Sequence, residues 1–149
     1  MSSPVDPSTE ALQQLLAAQH AAIYGYPLIG SRLTDQTQID RARTLEAAHL
    51  LTRDALRGQL ASRGASPVAA QASYQPVEPI TDPAGAQRWA IQLEAACAAG
   101  YRYLLSSTGA STGQLRGQAL AGLVSAAEDG TRWRLLVEPS TPTVPFPGL

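Results

Sequence analysis

Glu46 and His49 stand three residues apart inside a long helical pattern. That spacing puts a carboxylate and an imidazole on one helix face, where both can point at one object. An inward Glu-x-x-His pair is how four-helix bundles build carboxylate-bridged di-metal sites, the other helices adding carboxylates at the same level. The pair alone does not make a site. Its chemistry depends on what the rest of the chain brings to that level.

Three other stretches each carry a polar residue in the middle of an apolar stripe: Gln19, Glu94 and Glu128. The first stripe runs through Leu12, Leu15, Leu16, Gln19, Ile23, Tyr26, Gly30 and Leu33 at about 100° per residue and predicts a helix over 7–33. Asp6-Pro7 opens it with an N-cap and a proline at the first helical position, and Pro27 should kink it. Thr34-Asp35 caps a second helix over 36–63, stopped at Arg63-Gly64. Its inner stripe is Ile39, Ala42, Glu46, His49, Arg53, Leu56 and Leu60.

Residues 65–81 hold three prolines and no helical period. A connection of this length inside a compact chain needs a reason. The second helix would be about 40 Å long, and an extended stretch of this size reaches up to about 55 Å. It can run the length of a bundle and restart a helix at the far end. Asp82-Pro83 then opens a third helix over 83–107, with Ala90, Ile91, Glu94, Cys97, Ala98, Tyr101 and Leu105 on its stripe. A turn at Gly109 and a capping box of Ser111 with Gln114 lead into a fourth over 112–137. Its inward residues are expected to be Gly117, Leu120, Ala121, Val124, Glu128, Thr131 and Leu135. Residues 1–6 read as a flexible lead-in and the proline-rich 138–149 as an extended tail, with Val144 and Phe146 expected to dock on the bundle. The expected fold is all-α: one domain over 1–149, an antiparallel four-helix bundle with a long crossover between its second and third helices.

Composition removes several functions. The net charge is -1, and all 11 basic residues are arginine, with no clustered basic patch of the kind that binds nucleic acid. No apolar run is long enough for a bilayer span, and the first residues lack the pattern of a signal peptide. With a single cysteine, Cys97, an internal disulfide or a cysteine metal knuckle is excluded. A cytoplasmic protein is the expectation. Gly109-Ala110-Ser111-Thr112-Gly113 lacks the lysine of a phosphate loop, and no Gly-x-Ser-x-Gly elbow occurs. Cys97 reads as a buried structural thiol and His20 as an edge histidine.

At these residues the chain resembles the ferritin-like superfamily of di-iron carboxylate bundles. More closely it resembles an alanine-rich ferritin-like domain of unknown function from actinobacteria. The closer likeness rests on Gln19-His20-Ala21-Ala22-Ile23-Tyr24-Gly25-Tyr26, on His49 followed by Arg53-Asp54-Ala55-Leu56, and on Phe146-Pro147-Gly148. Carried over residue by residue, the resemblance implies that Glu46, His49 and Glu94 match di-iron ligands. Glu128 matches the carboxylate of the fourth helix. Gln19 stands where the first helix would give a glutamate, and Thr131 where the fourth would give a histidine.

Two readings of this inventory follow. In the favoured one the protein is not an enzyme and holds no cofactor. Arg53, two turns beyond Glu46, reaches toward Glu46, Glu94 or Glu128 in a polar core network that includes Thr131, and the domain acts through protein contacts with an unidentified partner or as a homodimer. In the alternative, Glu46, His49, Glu94 and Glu128, with Gln19 as a weak ligand, hold iron, manganese or zinc for redox chemistry or iron handling.

Overall fold

The computed structural model describes residues 6–109 and 113–149. Four helices are present: α1 (Pro7–Arg32), α2 (Gln36–Ser62), α3 (Pro83–Ser107) and α4 (Gly113–Val137). Their starts are local chemistry. Asp6 accepts from the Thr9 amide at 3.2 Å, Asp35 from Gln38 at 3.0 Å and Asp82 from Gly85 at 2.7 Å, so each satisfies an amide that the helix leaves unpaired. Helix α2 stops in a Schellman turn. Gly64 takes φ +70°, and the amides of Gly64 and Ala65 return to the Ala61 and Leu60 carbonyls. The α1 helix continues through Pro27. The capping box expected at Ser111 lies outside the described residues.

Helix α1 packs on α2 and α3, and α3 on α4. A Cβ on Gly25 would meet Leu93 Cδ1 at 2.5 Å, and one on Gly100 would meet Leu15 Cα at 3.1 Å, so α1 and α3 are antiparallel and touch almost backbone to backbone. Residues 65–81 run up the outside of α1. Gln13 donates to the Ser66 carbonyl at 2.7 Å and accepts from the Val68 amide at 2.8 Å. His20 Nε2 bonds the Val68 carbonyl at 3.0 Å, and Tyr74 packs at a tilt against Tyr24 with ring centroids 5.6 Å apart. His20 is therefore an edge residue that pins the crossover. The crossover makes α2 and α3 parallel, as Gln38 to Gln87 (2.8 Å) and, further along both helices, His49 to Glu94 (3.1 Å) record. This is the four-helix bundle with one long connection expected from the sequence.

Two apolar clusters fill the bundle. One holds Tyr26, Ile29, Ala42, Trp89, Leu93 and Trp133; the other holds Leu12, Leu15, Leu16, Leu56, Leu60 and Leu104. Gln19 and His49 fall between the stretches of α1 and α2 that supply them.

The orientation of α4 differs from expectation. Its buried residues are Ala119, Ala126, Gly130 and Trp133, whereas Leu120 is 54% and Val124 49% exposed. The reason is the closeness of α3. The Tyr101 ring lies where a Cβ on Gly122 would sit, 2.2 Å away, so α4 must be small where it crosses Tyr101, and Leu120 and Val124 turn outward. Gly122→Ala is expected to force that ring aside and cost about 1–3 kcal/mol. Gly117→Ala, exposed in the same helix with nothing within 4 Å, should instead stabilise by up to about 1 kcal/mol. Urea unfolding of the two variants checks the opposite signs.

Candidate functional site

Between the two apolar clusters the four helices meet in one polar layer. From α1 come Gln19 and Tyr26, from α2 His49, from α3 Glu94 and Cys97, and from α4 Trp133. Gln19 and Glu94 are 1% and 2% exposed. Gln19 Oε1 faces His49 Nδ1 at 2.7 Å, and Gln19 Nε2 donates to Cys97 Sγ at 3.5 Å. His49 Nε2 faces Glu94 Oε1 at 3.1 Å. The same carboxylate oxygen accepts a short hydrogen bond from the Tyr26 hydroxyl, which in turn accepts from Trp133 Nε1 at 3.2 Å. The Tyr26 and His49 rings lie nearly parallel, 19° apart, with centroids at 5.4 Å. Among the described residues, no buried side-chain nitrogen or oxygen lacks a partner.

Counting hydrogens fixes most of this layer. With the Gln19 carbonyl toward His49, Nδ1 carries a hydrogen and donates it. Burial pushes the Tyr26 hydroxyl well up, and the Glu94 charge and hydrogen bond add to it, so the phenol keeps its proton and donates. Burial, then Glu94, also pushes the Cys97 thiol well up; it is a protonated, enclosed thiol rather than a nucleophile. The buried polar atoms of the layer are therefore hydrogen-bonded to one another, as a low-dielectric interior requires.

The sequence-predicted site residues divide. Gln19, His49 and Glu94 come together as expected from their stripes. Glu46 is only partly buried and makes no hydrogen bond or ion pair among the described residues. Glu128 does not enter the layer: its side chain is 60% exposed and lies 3.6 Å from Arg132. The close approach of α3 sets the rotation of α4, and that rotation turns Glu128 out. Arg53 does not reach Glu46, Glu94 or Glu128. It bonds Asp54 at 2.9 Å at the surface, where a guanidinium keeps its water and avoids a large desolvation cost. Thr131 joins no polar core either, its hydroxyl donating to the Ala127 carbonyl of its own helix at 2.8 Å.

Among the described residues, no group of three or more His, Cys, Asp and Glu side chains converges to hold a metal ion. The donor set does not fit a di-metal centre. Glu94 Oε1 is taken by a phenol and an imidazole, Gln19 by His49 and Cys97, and Glu128 faces away.

Tyr26, Trp133 and Asp129 were not foreseen as members of the site. Tyr26 had a signal, since it shares the Gln19 stripe two turns on and a buried tyrosine needs a hydroxyl partner. Asp129 adjoins the layer on α4, its side chain 14% exposed and bonded to Arg132 at 2.7 Å. Burial raises its carboxyl above the usual 3.8, and Glu94 raises it further against the pull of Arg132. The folded state therefore holds this proton to a higher pH than the unfolded chain does. Stability is lost as pH rises from 3.8 through the raised value, and the penalty is complete above it. Asp129→Asn removes that penalty. Its stability relative to the parent should be lowest below pH 3.8, rise through this window and level off above it, as urea unfolding across pH will record.

No helix among the described residues is long and apolar enough to cross a membrane. A comparison with curated proteins returns no match. Among solved structures, the chain is similar to a conserved hypothetical protein, rv2844, from Mycobacterium tuberculosis. The two are 28% identical with a TM-score of 0.81, over 90% of this chain and 99% of that one. A family model described as a domain of unknown function (DUF4439) matches residues 11–149, and the chain belongs to that family.

Proposed function

We propose that this is a ferritin-like helical-bundle protein whose di-metal position has become a hydrogen-bonded polar core, and that it is non-catalytic and acts through protein contacts. One observation carries the reading: the Tyr26 hydroxyl and His49 share the Glu94 carboxylate oxygen at the level where a bundle of this connectivity would hold metal. The crossover topology supports the ferritin-like assignment. Aliphatics on the outer face of α4, Leu120 and Val124, and Leu51 on α2, all exposed, support contacts as the mode of action, with a homodimer the first to test.

Metal analysis of protein purified without chelators should find no stoichiometric iron, manganese or zinc, and none of these should move the melting temperature. One or two equivalents lost in Glu46→Ala would overturn this reading in favour of the alternative, a metal site of Glu46, His49, Glu94 and Glu128 in an oxidoreductase or iron-handling protein. Light scattering should give a mass that rises toward the dimer with concentration; a monomer throughout removes the homodimer.

A further inference from the structure

A cavity of about 780 Å³ lies between α3, α4 and the C-terminal tail, within the size range of small-molecule sites. Its walls are apolar, with Ala98 on α3, Leu123 and Ala127 on α4, and Val144 and Pro147 of the tail among its lining. The tail is seated by backbone rather than by a side chain. Gly148 takes φ +84°, and a Cβ there would lie 2.6 Å from the Ala98 carbonyl oxygen, so only glycine lets the tail lie this close to α3. Phe146, expected to dock, is exposed instead.

The polar groups of this cavity are mostly occupied. Arg132 is held by Asp129 and Glu128, and Thr131 by its own helix. Arg134 is the charged group left over. It is partly buried, its Nη1 lies 3.5 Å from where a Gly130 Cβ would be, and its guanidinium makes no hydrogen bond or ion pair among the described residues. A planar fork of donors left unpaired beside an apolar cavity matches a carboxylate. Glu94 and Glu128 also line this space, so one negative charge can be compensated there but a second would meet repulsion.

We infer that this cavity binds a small apolar monocarboxylate, its head group on Arg134 and its hydrocarbon body between α3 and α4 beneath the tail. This inference is independent of the polar core, and either can fail without the other. Calorimetric titration of the full chain with decanoate should show saturable binding of one molecule per chain. Decanol should bind roughly ten-fold more weakly or worse, because it lacks the charge that Arg134 pairs, and decylammonium should not bind. Arg134→Gln should remove the preference for decanoate over decanol while leaving the melting temperature in place. Gly148→Ala, which lifts the tail, should weaken both ligands. Equal binding of decanoate and decanol, an unchanged decanoate affinity in Arg134→Gln, or no saturable binding would each overturn the proposal.

Discussion

Glu94→Ala is expected to destabilise the protein by about 3–5 kcal/mol, the combined cost of a void in the bundle and of two buried polar groups left without their acceptor. The size follows from what the substitution leaves behind. The Tyr26 hydroxyl and His49 Nε2 both lose their acceptor, and both residues are buried. Tyr26 also holds Trp133 in register, so the loss spreads from α1 to α4. Glu94→Gln keeps an oxygen for the phenol and should cost less, about 1–3 kcal/mol, the range for a buried polar group left imperfectly paired. Denaturant unfolding at neutral pH measures both. If Glu94→Ala is as stable as Glu94→Gln, the carboxylate is not the node of the layer.

Trp133→Ala should cost a similar amount, about 3–5 kcal/mol, for a different reason. The ring is fully buried, packs against Tyr26 with centroids 6.4 Å apart, and carries the Arg41 guanidinium 5.8 Å from its centroid. Truncation leaves a large void in a helix interface that small residues already hold close. Trp133→Phe keeps most of the volume and removes the indole N–H. Tyr26 still donates to Glu94, so this variant should lose only about 1 kcal/mol. The ratio of the two losses separates packing from hydrogen bonding at this position.

These two positions also mark what the sequence does and does not reveal. The helix starts are legible because their cause is local: each Asp cap acts within three residues of itself, and Gly64 stops α2 through its own φ. The crossover is legible because 65–81 has the length and prolines to run the bundle's height. Gln19, His49 and Glu94 come together because each is the polar break in an unambiguous apolar stripe. Helix α4 has apolar residues on more than one face, and size suggests that Leu120 and Val124 point inward. What decides its rotation is a fact about another helix: Tyr101 of α3 needs the space beside Gly122. That is why Glu128 was expected in the layer and Asp129 lies nearest it. Arg53 shows the other limit. Spacing put it on the Glu46 face, but a flexible guanidinium with surface water and Asp54 within reach has no cause to turn inward.

The same rotation joins the polar layer to the rest of the molecule. Gly130 lies against Glu94, and both residues also line the apolar cavity under the tail. The layer ties α1, α2, α3 and α4 together through Gln19, Tyr26, His49, Glu94 and Trp133.

The central claim is that Glu94 is satisfied by Tyr26 and His49 and offers no metal site. Nuclear magnetic resonance of the full chain during titration with manganous ion tests it at the atoms concerned. The His49 ring and Glu94 side-chain signals should stay sharp and unmoved at one equivalent, with any broadening confined to surface carboxylates. Selective broadening centred on His49 and Glu94 at that stoichiometry would contradict the account.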